Sequence, residues 1–194
     1  MQPIKWWESL SDLWKKAFNE GVLCRGATTE IPTLEQLQQL LGLSVLRLAG
    51  PDAQYPNLSF ELKDLSGIEQ LKHLEILVVI HHQIRNLDEL KLHKKLKSIF
   101  VFNNHIEQIN GIENLNSVQE LYCQNNYIDS LKPLSKLTQL QTLYCSGNQM
   151  ESLDGVGPRQ AASLKKFYCL PNAKLLNQEI FRFELEFGIR CERG

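Results

Sequence analysis

Apolar and polar positions along this chain recur with a period of 22 residues. The phrase reads Leu77-x-Val79-x-x-His82-x-Ile84, then Ile99-x-Val101-x-x-Asn104-x-Ile106. It returns as Leu121-x-Cys123-x-x-Asn126-x-Ile128 and Leu143-x-Cys145-x-x-Asn148-x-Met150. A fifth copy, Phe167-x-Cys169-x-x-Asn172, follows after a step of 24. Between phrases, apolar residues fall at every third position, as in Ile106, Ile109, Ile112, Leu115, Val118 and Leu121. A fixed period of this length is the mark of a repeat architecture.

Each part of the phrase predicts an element. The alternation Leu-x-Leu places two side chains on one face of a short strand. The triplet spacing suits turns or 3₁₀ segments, in which residues i and i+3 eclipse. One repeat cannot bury its apolar edge alone, so successive repeats stack into a parallel sheet over a shared core. Asn104, Asn126, Asn148 and Asn172 stand where the chain leaves each strand. An amide there both donates to and accepts from the backbone of adjacent turns, which predicts a structural asparagine ladder.

The pattern L-x-x-L-x-L-x-x-N-x-[IL], followed by L-x-x-L-x-x-L, resembles that of leucine-rich repeat proteins. It is most similar to the short-repeat class of internalin-type and phosphatase-regulator-type proteins, in its bacterial form. The resemblance spans residues 43–172. It implies an α/β fold: a right-handed solenoid with a short-stranded parallel sheet on the concave face, 3₁₀ or turn segments on the convex face, and a helical N-terminal cap. It also implies a non-enzymatic interaction module, with no cofactor. One scaffold hosts many functions, so the resemblance speaks to fold far more than to partner.

The expected organisation is a helical cap over residues 1–42, about six repeats over 43–175, and a C-terminal cap over 176–194. Helical spacing of Trp7, Leu10, Leu13, Trp14, Phe18 and Val22 predicts one helix over residues 6–23, with Ser9 or Ser11 as N-cap. The three tryptophans are read as cap core. Thr33 with Gln36 forms a capping box for a second helix that Gly42 ends. A first strand is expected over 45–48. The next phrase begins 31 residues after Leu46, so about nine residues are inserted near 50–59, a stretch rich in turn formers. That loop is read either as a functional loop or as a cap-to-repeat adjustment. Residues 177–191 alternate like a strand but also fit one helix face through Ile180, Phe183 and Phe187; a helix is expected, with Asn177 as N-cap and Gly188 as stop.

Two histidines interrupt the pattern. His82 occupies a ladder position and is read as imitating part of an amide's bonding. His93 replaces an apolar residue between Leu90 and Leu96. The basic run over residues 91–97 is read as a solvated face.

Composition narrows the function classes. A formal net charge of −1 provides no general attraction to nucleic acid or anionic lipid. No apolar run approaches the roughly 18 residues of a membrane span, and no signal-peptide pattern opens the chain, so the expected location is cytoplasmic. Cys123, Cys145 and Cys169 take the second inward strand position and are expected to stack as small hydrophobes. Regular parallel strands hold such side chains too far apart for disulfides, and a collinear row suits no tetrahedral metal site.

No phosphate loop, nucleophile elbow, metal motif or convergent carboxylate pair appears, and no catalytic residue is assigned. Candidate chemistry lies instead on the concave sheet. Its central column reads Val78, Phe100, Tyr122, Tyr144, Tyr168, flanked by Ile76 on one side and by Ile80, Phe102 and Gln124 on the other. An exposed cluster of Ile76, Val78, Ile80, Phe100 and Phe102 is one that soluble monomers avoid, and tyrosine-rich surfaces bind at low entropic cost. These nine residues predict a face for a protein or peptide. A tyrosine column stacking sugars, or a homodimer joined through the same face, are the alternatives.

Overall fold

The computed structural model describes residues 2–194. Seven strands form one parallel sheet whose order follows the chain from β1 to β7. They are Val45–Ala49, Ile76–Ile80, Ser98–Phe100, Glu120–Tyr122, Thr142–Tyr144, Lys166–Leu170 and Glu192–Arg193. The pairing Leu77↔Ile99, Leu121↔Leu143 keeps every phrase in register with the next. On the other side, 3₁₀ segments at Ser66–Ile68, Asp88–Leu92, Asn110–Ile112 and Lys132–Lys136 return the chain to the sheet. The arrangement is the α/β right-handed solenoid that the leucine-rich repeat resemblance implies. The inward residues of strands and triplets, such as Leu77, Ile99, Leu121, Ile112 and Leu134, are fully buried and form one continuous core. Each such leucine contributes roughly 2 kcal/mol by leaving water.

The step from the fourth phrase to the fifth is two residues longer than the three before it, and a helical turn takes up the excess. Here α4 (Pro158–Ala161) stands in place of a 3₁₀ segment. Gln160, buried, accepts from Gly157 N at 3.1 Å and donates to Leu134 O at 2.9 Å, tying this turn to the previous coil.

The asparagine ladder holds the coils together. Asn126 Oδ1 accepts from Ile106 N at 2.9 Å, while its Nδ2 donates to Val101 O and Cys123 O, both at 3.0 Å. Asn104 and Asn148 repeat the pattern one coil before and after. Asn172 varies it: its Oδ1 takes Asn148 N at 2.7 Å, and its Nδ2 reaches back to Cys145 O at 3.1 Å. His82 reproduces the acceptor half alone, taking Leu62 N on Nδ1 at 3.2 Å.

The N-terminal cap departs from the single helix expected over 6–23. Two helices form, α1 (Pro3–Ser9) and α2 (Asp12–Gly21), because Leu10 and Ser11 are extended and Ser11 Oγ accepts from Trp14 N to start the second. The break lets Trp6, Trp7 and Trp14 all pack around Phe18. Helix α3 (Leu34–Leu41) carries the predicted Thr33–Gln36 capping box. The C-terminal stretch is both helix and strand. Helix α5 (Asn177–Phe187) buries Phe183 and stops at Gly188, whose φ of +67° is left-handed, and β7 then joins the sheet. Leu176 is its N-cap residue, with no side-chain cap, so the expected capping by Asn177 is corrected: Asn177 is already the first helical residue.

Cys123, Cys145 and Cys169 are buried, and all five cysteines are free thiols. Burial pushes the Cys123 thiol up to about 12.

Two substitutions test these contacts. Asn126→Ala leaves several buried backbone groups unpaired and should cost about 2–4 kcal/mol in urea unfolding, whereas exposed Asn116→Ala should change stability by less than about 0.5 kcal/mol. Equal effects would remove the ladder from its central role. A Cβ on Gly67 would lie 2.1 Å from the Trp14 ring. Gly67→Ala should therefore displace the cap, with a red-shifted tryptophan emission and a loss of about 2 kcal/mol.

Candidate functional site

Strand pairing gathers the outward residues into rows. The central row runs Arg47, Val78, Phe100, Tyr122, Tyr144, Tyr168, Glu192, each opposite the next. Strands about 4.8 Å apart bring equivalent rings to stacking distance. Centroids are 4.6 Å apart for Phe100–Tyr122, 4.7 Å for Tyr122–Tyr144 and 4.1 Å for Tyr144–Tyr168, with interplanar angles of 15°, 16° and 24°. The rings therefore spend their faces on one another and offer edges and hydroxyls to solvent. Partial burial, then a hydrogen bond shared with Tyr168, pushes the Tyr144 hydroxyl up to about 12. Partial burial, followed by the negative charge of Glu120, also raises Tyr122.

The flanking rows complete the floor. Ile76, Val78, Ile80, Phe100 and Phe102, expected as an exposed cluster, lie on neighbouring strands and are half-buried. Phe102 lies just beyond β3 and packs edge-on to His81 at 5.9 Å. In the Ile76 row, Ser98 Oγ donates to Glu120 at 2.7 Å. Gln124 is half-buried, and its Oε1 is shut from water with no donor.

Both ends of this face are walled. The inserted loop is anchored by Asn57, which takes Ala49 N at 2.7 Å and donates to Gly21 O at 2.9 Å and Arg47 O at 2.8 Å. It thus joins cap to first repeat, and Arg47 donates to Tyr55 O at the rim. At the other end Gly194 donates to Leu170 O at 3.0 Å. A Cβ at Gly194 would lie 2.9 Å from Tyr168 Cβ and 3.4 Å from Tyr144 Cδ1. Part of the predicted tyrosine surface is consequently covered by the chain itself, and the open floor lies over β2 to β4.

Three features lie outside what the sequence pattern predicts. Arg47 extends the central row, although its strand carries no tyrosine phrase. A second, outer ladder runs beside the first: Asn125 Nδ2 donates to Asn103 Oδ1 at 2.8 Å, and Asn103 Nδ2 meets His81 Nε2 at 2.9 Å. His81, Asn103, Asn125 and Gly147 all have left-handed φ between +54° and +67°. The doubled Asn103–Asn104 and Asn125–Asn126 carried that signal, since Asn and Gly tolerate this region best. Finally, Phe181 and Leu185 on α5 are 76% and 88% exposed.

Hollows in the surface lie elsewhere. One of about 440 Å³ follows the strand-exit edge, lined by His81, His105, Tyr127 and Gln149. Another of about 330 Å³ lies between convex turns around Asn110 and Pro133. Among the described residues no group of three His, Cys, Asp or Glu side chains is placed to hold a metal ion, and no helix is long and apolar enough to cross a membrane.

The buried histidines make the scaffold sensitive to acid. Desolvation holds His82 neutral, with its pKa lowered to about 4; the Leu48 carbonyl pulls weakly the other way, yet Nε2 has no hydrogen bond of normal length. His93 shifts downward for the same reason, its Nε2 facing Ile68 O at 2.9 Å. A depressed folded pKa means that the unfolded chain takes up the proton first. The stability tied to His82 is thus complete above about pH 6.5 and is lost as pH falls toward 4, by about 3 kcal/mol. His82→Asn should flatten much of the loss of urea midpoint between pH 7 and 5, leaving the His93 share. An unchanged pH slope would count against this assignment.

Residues 116–158 match the family model described as leucine-rich repeats in two copies. No curated protein matches the chain by sequence. Among solved structures, an internalin from Listeria monocytogenes is 20% identical, covering 60% of this chain and 38% of its own, with a TM-score of 0.54. A leucine-rich repeat protein from Leptospira interrogans is 23% identical, covering 74% of this chain and 40% of its own, with a TM-score of 0.56. The chain thus spans about two fifths of each of these proteins, and the likeness at these identities is one of fold.

Proposed function

We propose that this chain, a leucine-rich repeat protein, is a non-enzymatic binding module that takes a protein or peptide partner on its concave face. Leucine-rich repeats serve generally as protein-interaction scaffolds, which is the coarse part of this reading. The observation that carries the finer part is the contiguous half-exposed strip of Ile76, Val78, Ile80, Phe100, Phe102 and Tyr122 on a surface without a deep hollow. Apolar strips of this kind mark interaction sites on soluble proteins. A sugar platform needs free ring faces, and here the rings face one another. A small-molecule site needs an enclosed pocket, and the described hollows lie off this floor. Five free thiols suit a reducing compartment, and the cytoplasm is the one we propose.

The test is affinity capture from a lysate of the source organism with the wild type, Phe100→Glu/Tyr122→Glu and Phe181→Glu. Circular dichroism and light scattering check folding and mass. Wild-type and Phe181→Glu chains should retain a protein that the double variant loses. Loss with Phe181→Glu alone would move the site to α5. A wild-type dimer that the double variant dissolves would make the face a self-association surface.

A further inference from the structure

The concave reading leaves open what kind of segment the face accepts, and the placement of charge limits the answer. Six ion pairs occur among the described residues, and neither Arg47 nor Glu120 belongs to any of them. Arg47 sits on the central row at β1, exposed, held at the rim by the Tyr55 carbonyl. Glu120 sits on β4, in the row that runs back through Ser98 and Ile76 to Val45. The two are therefore three strands apart across the sheet and two residues apart along it. With strands about 4.8 Å apart and about 3.3 Å per residue, the separation is about 16 Å, or about five residues of extended chain. Apolar floor fills the space between them. At the far end Gly194 lies beside Tyr144 and Tyr168.

Resting on the concave reading, the geometry points to a short extended peptide laid across β2 to β4, with an acidic side chain at Arg47. A basic side chain about five positions away meets Glu120, and aliphatic or aromatic residues lie between. The charges fix register, while the apolar floor supplies the contact area.

The probe is a random dodecapeptide library displayed on phage, selected separately on the full wild-type chain, Arg47→Glu, Glu120→Lys and Phe100→Glu/Tyr122→Glu. Enriched peptides should carry an acidic and a basic residue about five positions apart, in one consistent order. Synthesised singly, they should bind at least tenfold more weakly to Arg47→Glu and to Glu120→Lys by fluorescence anisotropy. Replacing the peptide's acidic residue with lysine should restore binding to Arg47→Glu. Enrichment without the charge pair, affinity unmoved by both charge variants, or no enrichment overturns the proposal. Peptides lost on Phe100→Glu/Tyr122→Glu yet indifferent to Arg47→Glu would leave the concave reading standing and remove the charge register. Peptides indifferent to every variant would remove both.

Discussion

Everything in this molecule depends on a buried amide that belongs to two coils at once. Each ladder asparagine accepts from a backbone N–H of the preceding coil and donates to carbonyls of that coil and its own. A buried polar group is tolerable only when its bonds are made, and an unmade bond costs more than a made one contributes. A coil that slipped by one residue would orphan its asparagine and three or more backbone groups together. The ladder therefore sets the register of the sheet, although its middle strands are only three residues long.

Register in turn creates the surface. Because Phe100, Tyr122, Tyr144 and Tyr168 occupy equivalent positions, they are brought to strand spacing and stack. Stacking removes the ring faces from use and leaves a ridge of edges and hydroxyls. Toward the N-terminal side the same row and its neighbours hold aliphatic residues and Phe102, so the floor grades from hydroxyl-bearing to apolar. That gradient, bounded by Arg47 at one end and by Gly194 at the other, gives the face a direction.

A solenoid's energy is close to a sum over neighbouring coils, so its weak points are its ends and any imperfect rung. The ends are closed by the tryptophan-rich cap and by α5. The imperfect rung is His82, which supplies the acceptor but leaves Nε2 without a bond and must stay neutral to remain inside. It adjoins the inserted loop, where the period is also broken. The cap therefore meets the repeats at the place where the ladder is least complete.

By itself the sequence determined the repeat, the inward residues, the asparagine ladder and the central aromatic column. Each of these is a local pattern copied at a constant step, so position in one copy states position in all. It also showed the Thr33 capping box and the Gly188 stop, since helix ends are settled by a few neighbouring residues. Only the tertiary structure decided the rest. The break at Leu10 and Ser11 follows from packing three indoles around Phe18. The place of Arg47 in the central row follows from β1 pairing with β2 across an insertion. The contact of Gly194 with Tyr144 and Tyr168 follows from α5 turning the chain back so that β7 joins the sheet. Those outcomes rest on contacts between segments far apart in sequence and made once each, and a contact made once leaves no period to read.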